Sequence, residues 1–507
     1  MQKRPFRKVI QVAATLAFFV LPLAAQNPDY DQPYRPQVHF SPEEHWTNDP
    51  NGLVFYQGEY HLFFQYNPEG DQWGHMSWGH AVSTDLLHWH ELPVAIPEHD
   101  NTMIFTGSVV VDHQNTSGLC THGDCLVAIY TGHTQTSEGI RQTQNLAVSL
   151  DKGRNWAQYP GNPVLDLHMA DFRDPSVSWD PIARHWIMAV SLPKEHKIRF
   201  YSSTDLKQWT QLSDFGPTGD INGDWECPDL IRIPASNSAK SIWALKVGLN
   251  PGAPQGGSGE QYFLGDFDGK SFHQSRLRGS HGWTNYGKDD YCAINFNNLP
   301  KDQKPVLLGW MSNWQYAAKI PTTPWRGQMS LPRRLSYISD PAGLALKQEP
   351  IVAPLRGKNY EISALSTNTS ALYGSEHTLQ PPFEIRLHFG HPVEPVFGLK
   401  IFSDPQHWTE VAFDTAKKEF YIDRTHSGAA ISPDFPVRTK APLVTTRPYD
   451  LTLIVDRSSV EAFAQDGTIA MTDLVFPVSN NLQIQIFPDD AKPIQSEGQL
   501  WELKSIW

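Results

Sequence analysis

Long stretches with apolar residues at helical spacing are scarce in this chain, and short apolar runs bounded by turn residues dominate. That pattern predicts an all-β protein. Apolar strands are expected at Tyr60–Tyr66, Leu126–Tyr130, Trp186–Ser191, Ile242–Val247 and Val306–Met311. A recurring turn signature follows the first four. Ser83-Thr84-Asp85-Leu86-Leu87-His88-Trp89 is matched by Ser203-Thr204-Asp205-Leu206-Lys207-Gln208-Trp209. Ser149 to Trp156 is a looser copy and Gly265 to Phe272 a degenerate one; the fifth strand has no clear closing turn. In each copy an Asp starts a turn through side-chain bonds to the backbone, and an aromatic residue opens the next strand. The closing aromatics are 67, 53 and 63 residues apart. That spacing accommodates one four-stranded antiparallel sheet with its loops. Repeats of this size predict propeller blades, five in number; an array of β-sandwiches would show the same repeat.

After Pro332-Arg333-Arg334 the pattern changes to alternating strands, among them Phe383–Phe389, Val396–Phe402, Trp408–Phe413, Glu419–Ile422, Asp450–Asp456, Val460–Ala464 and Leu482–Phe487. About a dozen such strands fit a two-sheet sandwich of roughly 150 residues. The expectation is a five-bladed β-propeller over 36–345 followed by a C-terminal β-sandwich over 356–507. The sandwich would pack on the propeller and stabilise it, with Asp456-Arg457-Ser458-Ser459 as a hairpin connection; a lectin-like, sugar-binding sandwich is the alternative.

The propeller repeat also has a beginning. The five starts contain Asn48-Asp49-Pro50-Asn51-Gly52, Phe105-Thr106-Gly107-Ser108, Phe172-Arg173-Asp174-Pro175, Glu226-Cys227-Pro228-Asp229 and Asp289-Asp290-Tyr291-Cys292, each just before an apolar strand. In a propeller the innermost strands surround the axis, so these segments, Asp49 to Asp290, should converge on one pocket. Singly, Asp49 reads as a turn residue, Glu226 as a surface charge and Arg173-Asp174 as an ion pair. In phase with the repeat, Asp49, Asp174 and Glu226 are better explained as a functional cluster, because crowded carboxylates are electrostatically costly and push one another's pKa apart.

Composition narrows the chemistry. The formal charge of -13 disfavours a nucleic-acid surface. Lys3, Arg4, Arg7 and Lys8, the apolar run Val12–Leu23 and Ala24-Ala25-Gln26 form the three parts of a secretory signal peptide, expected at 1–25. Its removal would leave an exported (extracellular or periplasmic) chain of charge about -17 with no membrane span, suited to a neutral substrate. Export permits disulfides, and Cys120 and Cys125 could close a small loop. Cys227 and Cys292, far apart in sequence, are expected to be buried free thiols. No cysteine has the company a structural zinc site needs. Of the 17 Trp residues, Trp89, Trp156 and Trp209 close turns, and Trp46, Trp73 and Trp314 lie in or near the segments that hold the carboxylates.

Paired carboxylates in an aromatic-lined pocket suit glycoside cleavage, one attacking the sugar carbon and one protonating the leaving oxygen. Trp73, Trp78, Phe105 and Trp314 are candidates to stack on sugar faces.

These residues also carry a resemblance. Trp46-Thr47-Asn48-Asp49-Pro50-Asn51-Gly52, Phe172-Arg173-Asp174-Pro175 and Glu226-Cys227-Pro228 are similar to the three signature motifs of glycoside hydrolase family 32. The similarity continues through Gln65-Tyr66-Asn67-Pro68, Trp78-Gly79-His80-Ala81, Asn250 to Pro254, Ser312-Asn313-Trp314 and Val455 to Glu461. One departure is Thr47, where many members have Met. The resemblance implies a propeller followed by a sandwich, and a retaining β-fructosidase acting on a neutral fructose-containing oligo- or polysaccharide without cofactor or metal. It implies Asp49 as nucleophile, Glu226 as acid/base and Asp174 as transition-state stabiliser. Asn48, Gln65, Trp73, Phe105, Thr106, Arg173 and Trp314 would shape the sugar site. A retaining mechanism requires the carboxyl groups of Asp49 and Glu226 to stand about 5–5.5 Å apart. Asp174, beside Arg173, would stay ionised. The alternatives are a sucrose-restricted invertase, a fructosyltransferase, a non-catalytic fructan binder, and an inverting propeller hydrolase of arabinan or xylan.

Overall fold

The computed structural model describes residues 30–364, 372–373, 379–390, 394–487 and 496–507. The expected leader at 1–25 lies outside the described residues. The first part of the chain forms five antiparallel sheets of four principal strands each. Their first strands are His45–Tyr56, Thr102–Val111, Arg173–Asp180, Asp224–Pro234 and Tyr291–Asn295. Each first strand packs against the next, and the fifth packs against the first, so the sheets close a ring around one axis. This is the five-bladed propeller. The closure is reinforced where Trp325–Arg326, from the fifth blade's connection, pairs in parallel with His45 and Trp46 of the first blade.

The apolar runs expected from sequence are the second strands of the blades, and the repeated turn joins the third strand to the fourth. Its bonding follows the sequence reading. Asp85 Oδ1 accepts from the backbone N–H groups of Leu87 and His88, and Asp205 Oδ1 from those of Lys207 and Gln208. The indoles of Trp89, Trp156 and Trp209 fold back and donate to the carbonyls of Leu86, Gly153 and Leu206. In the degenerate copy Asp268 Oδ1 holds the N–H groups of Lys270 and Ser271. The fifth blade turns between Asp340 and Gly343 without an aromatic, which is why no signature marks it there.

The C-terminal part is a sandwich of two six-stranded sheets. The strand expected at Phe383–Phe389 has those bounds, and Asp456 to Ser458 joins Tyr449–Val455 to Ser459–Ala464 as a hairpin. One sheet faces the propeller: Ile454, Phe463 and Ala470 share a core with Phe40, Phe64 and Met329. Asp456 does more than turn the chain. It is buried, and its carboxylate accepts from the backbone N–H groups of Gln37 and Val38 and pairs with His39.

Candidate active site

The strand starts that the sequence singled out do lie together on the innermost strands, and all five share a local irregularity. The antiparallel register shifts between Thr47 and Pro50, Ile104 and Gly107, Arg173 and Ser176, Glu226 and Asp229, and Tyr291 and Ile294. A bulge leaves residues unpaired and re-aims their side chains. Asn48, Asp49, Phe105, Thr106, Asp174, Cys227 and Cys292 are among the residues inside these five shifts, with Pro175, Pro228 and Ala293. Asp174, Cys227 and Cys292 have φ of 65°, 46° and 48°, a left-handed backbone that is uncommon for such residues.

The carboxylates meet there. Asp49 Oδ2 accepts the Thr106 hydroxyl at 2.8 Å, while Oδ1 is sealed from solvent without a partner. Asp174 Oδ2 accepts the Cys227 backbone N–H at 2.9 Å. Glu226 Oε1 stands 3.0 Å from the Arg173 guanidinium, and Oε2 accepts the hydroxyl of Tyr291. Burial pushes the Asp49 carboxyl up to about 6, against hydrogen bonds from Asn48 and Thr106, with the Glu226 charge adding to the rise. Burial likewise raises Asp174 to about 7; Arg173 opposes this and Glu226 reinforces it.

Two expectations about neighbours need correction. Arg173 does not form an ion pair with Asp174. Its guanidinium contacts Glu226, Asp171 at 2.8 Å and Asp224 at 3.8 Å. Burial raises Asp174, and the Arg173 charge works against that rise without a direct ion pair. Asp290 is turned away from the pocket: Arg333 holds both of its oxygens at 2.9 Å, and Tyr291 takes its place among the carboxylates.

The remaining candidates divide by depth. Trp73 is 46% exposed. It stands edge-on to Phe105 at 6.2 Å. Trp314 stacks on Trp46 at 6.0 Å, and both Phe105 and Trp314 are partly exposed. These three rings form the accessible apolar surface beside the acids. Trp78, by contrast, is fully buried and donates its indole N–H to the Phe105 carbonyl, so it supports the pocket from behind. Asn48 is buried and accepts the Trp46 indole N–H. Gln65 is buried and braces the second bulge by donating to the Ile104 carbonyl. Thr47, the departure from the family pattern, donates its hydroxyl to the Gln65 carbonyl at 3.0 Å.

The largest correction concerns sulfur. Cys227 and Cys292 are not free thiols but a disulfide, as are Cys120 and Cys125. Cys227 and Cys292 sit on the bulges of adjacent blades, which brings together residues that are 65 apart in sequence. Asp49 with these two sulfurs is the one grouping of potential metal ligands among the described residues, and both sulfurs are consumed in the bridge.

Comparison with known proteins decides the family. The model for the N-terminal domain of glycosyl hydrolases family 32 matches residues 39–350, and the model for the C-terminal domain matches 352–502. The chain belongs to glycosyl hydrolases family 32. A levanase of Bacillus subtilis (strain 168) is 40% identical over all of this chain and 76% of its own length. An extracellular exo-inulinase of Aspergillus awamori is 36% identical over 94% of this chain and 96% of its own. The crystal structure of exo-inulinase from that organism superposes with a TM-score of 0.87, covering 94% of this chain and all of that one. β-Fructofuranosidase from Schwanniomyces occidentalis, solved with fructosyl-erythritol, superposes with a TM-score of 0.85 at 34% identity, covering 94% and 99%. The chain is thus a glycoside hydrolase with the family 32 propeller and sandwich.

Within this family 32 site, several residues had no sequence signal. Tyr291 is one. It lies in the fifth start, but only the fold shows its hydroxyl on Glu226, in space that Gly248 leaves open: a Cβ at 248 would stand 3.1 Å from the ring. Thr131, Gln142 and Gln144 are others. Thr131 accepts the Asp174 N–H, and Gln142 and Gln144 hold the Phe172 backbone from the neighbouring blade. Beyond the acids a cavity of about 1010 Å³ continues along the propeller axis, lined by Ser108, Ser176, Asp229 and Asn297 among others.

Proposed function

We propose that the protein is an exported retaining β-fructosidase that releases terminal β-D-fructofuranosyl residues from fructans and from sucrose. The observation that carries this reading is the convergence of Asp49, Asp174 and Glu226 at one pocket beside partly exposed aromatic rings. The Asp49 carboxylate, held through Oδ2 by the Thr106 hydroxyl, attacks the anomeric carbon. Glu226 protonates the departing oxygen, and a covalent fructosyl-enzyme forms. Glu226 then takes a proton from water, which attacks the same carbon and regenerates Asp49. Asp174 binds ring hydroxyls while positive charge builds on the sugar. Arg173 contacts Asp171 and Asp224 as well as Glu226, so it has other partners when Glu226 holds its proton. Both reacting groups are side chains, so activity should survive exhaustive chelation.

Export is supported by the leader pattern at 1–25 and by two disulfides, which persist in oxidising compartments. Among the described residues no helix is long and apolar enough to cross a membrane. The test is to incubate the purified protein separately with sucrose, inulin and levan and follow products with time. Fructose alone, first appearing as the β-anomer, supports the reading. A ladder of oligosaccharides would instead indicate endo cleavage or transfer, and no product from any of them would overturn the assignment.

A further inference from the structure

We propose that the Cys227–Cys292 disulfide is a positioning element for catalysis: a covalent clamp between the fourth and fifth blades that holds the carboxylates in register. The inference rests on the roles assigned above to Asp49, Asp174 and Glu226. The bridge lies against two of the carboxylates and next in sequence to the third. The Cys227 N–H donates to Asp174, and the Cys227 sulfur lies 4.0 Å from Asp49 Oδ2. Glu226 precedes Cys227, and Tyr291, whose hydroxyl bonds Glu226, precedes Cys292.

The need for such a clamp follows from the bulges. Both cysteines lie where the strand ladder is interrupted, between Glu226 and Asp229 and between Tyr291 and Ile294. Both have left-handed backbones. Regular pairing holds Glu226 opposite Gly248 and Tyr291 opposite Trp310, but it lapses at the very next residues, among them the Cys227 N–H that bonds Asp174. A covalent cross-link between the two bulges fixes them together. The sulfurs are buried, 2% and 0% exposed by residue, so the bridge is sheltered from exchange. The Cys120–Cys125 bridge is different in kind. It closes a short loop, and its sulfurs contact none of the carboxylates.

The experiment uses three proteins: the full chain, Cys120→Ser/Cys125→Ser, and Cys227→Ala/Cys292→Ala. The wild-type chain is assayed first on sucrose, inulin and levan; inactivity there refutes the assigned function itself, separately from the clamp. Thiols are counted in denaturant, and kcat, KM and circular dichroism are measured well below the Tm. The expected results are no free thiols in the wild type and a kcat for Cys120→Ser/Cys125→Ser within about twofold of wild type. For Cys227→Ala/Cys292→Ala the expectation is a folded protein with kcat reduced at least tenfold and KM within about threefold. Dithiothreitol donates two electrons and two protons to a disulfide and leaves as its own cyclic disulfide. Where it reaches the Cys120→Ser/Cys125→Ser protein, two thiols should appear, kcat should fall to the level of the alanine pair, and reoxidation should restore it. Two free thiols in the untreated Cys120→Ser/Cys125→Ser protein, or a folded alanine pair with wild-type kcat, would overturn the proposal. A fall in activity that only tracks loss of the folded signal would do the same, by making the bridge purely structural.

Discussion

At the residue scale, the acids of the site are held at a cost to the fold. A carboxyl raised by burial binds its proton more tightly in the folded chain than in the unfolded one. For Asp49, raised to about 6, the folded state is therefore penalised once pH climbs from the unfolded value through about 6. Asp49→Asn should abolish activity and yet raise stability at pH 7–8 by roughly 1–3 kcal/mol, with no gain near pH 4. Thermal melts of both proteins at the two pH values check this. The proposed role of Asp49 as nucleophile gives the acid side of activity: kcat/KM should decline as pH falls through about 6, where Asp49 takes up its proton. Glu226→Ala should lose most turnover on levan and sucrose but keep a slow reaction on substrates with activated leaving groups, which do not need the proton. Full activity on levan would remove Glu226 from the acid/base role. The residue types were legible because Asp49, Asp174 and Glu226 fall in phase with a repeat. Their partners were not. Nothing in the sequence turns Arg173 toward Glu226 instead of Asp174, since Glu226 is brought to it by the neighbouring blade.

At the element scale, the blade is built from two devices with opposite purposes. The Asp turn fixes the hairpin between the third and fourth strands, and the bulge loosens the first strand so that side chains reach the axis. Asp85→Ala removes an acceptor for two backbone N–H groups. It should cost about 1–3 kcal/mol in urea titrations while leaving kcat unchanged, because this turn lies at the opposite side of the sheet from the innermost strand. The turns were readable from sequence because their bonds span only a few residues. The bulges were not, although every candidate strand start lies in one. A bulge is a mismatch between two strands, and register is set by both.

At the scale of the whole molecule, the sandwich is joined to the propeller through buried charge as well as apolar packing. Arg424, on strand Glu419–His426 of the second sandwich sheet, donates to Asp289 Oδ2 at 2.6 Å and to the Tyr316 hydroxyl at 2.8 Å. Asp289 also accepts the Leu474 N–H and the Tyr316 hydroxyl. Asp289 lies two residues before Tyr291, and Tyr316 two residues after Trp314, so this joint sits behind the pocket wall. Arg424→Met leaves Asp289 buried without its cation and should destabilise the protein by about 3–5 kcal/mol. A double-mutant cycle with Asp289→Asn should show strong coupling between the two positions. A purely additive result would mean that the pair does not act as a unit.

The sequence by itself determined the strands, the repeat, the number of blades and the carboxylates, because each is encoded in local alternation, local turn bonds or residues recurring in phase. Tertiary structure alone decided which side chains meet. It joined Cys227 to Cys292, set Tyr291 rather than Asp290 beside Glu226, sent Trp78 into the core and left Trp73 exposed. These outcomes depend on how five separate strands are aligned around one axis, and that alignment is a property of the closed ring rather than of any one segment.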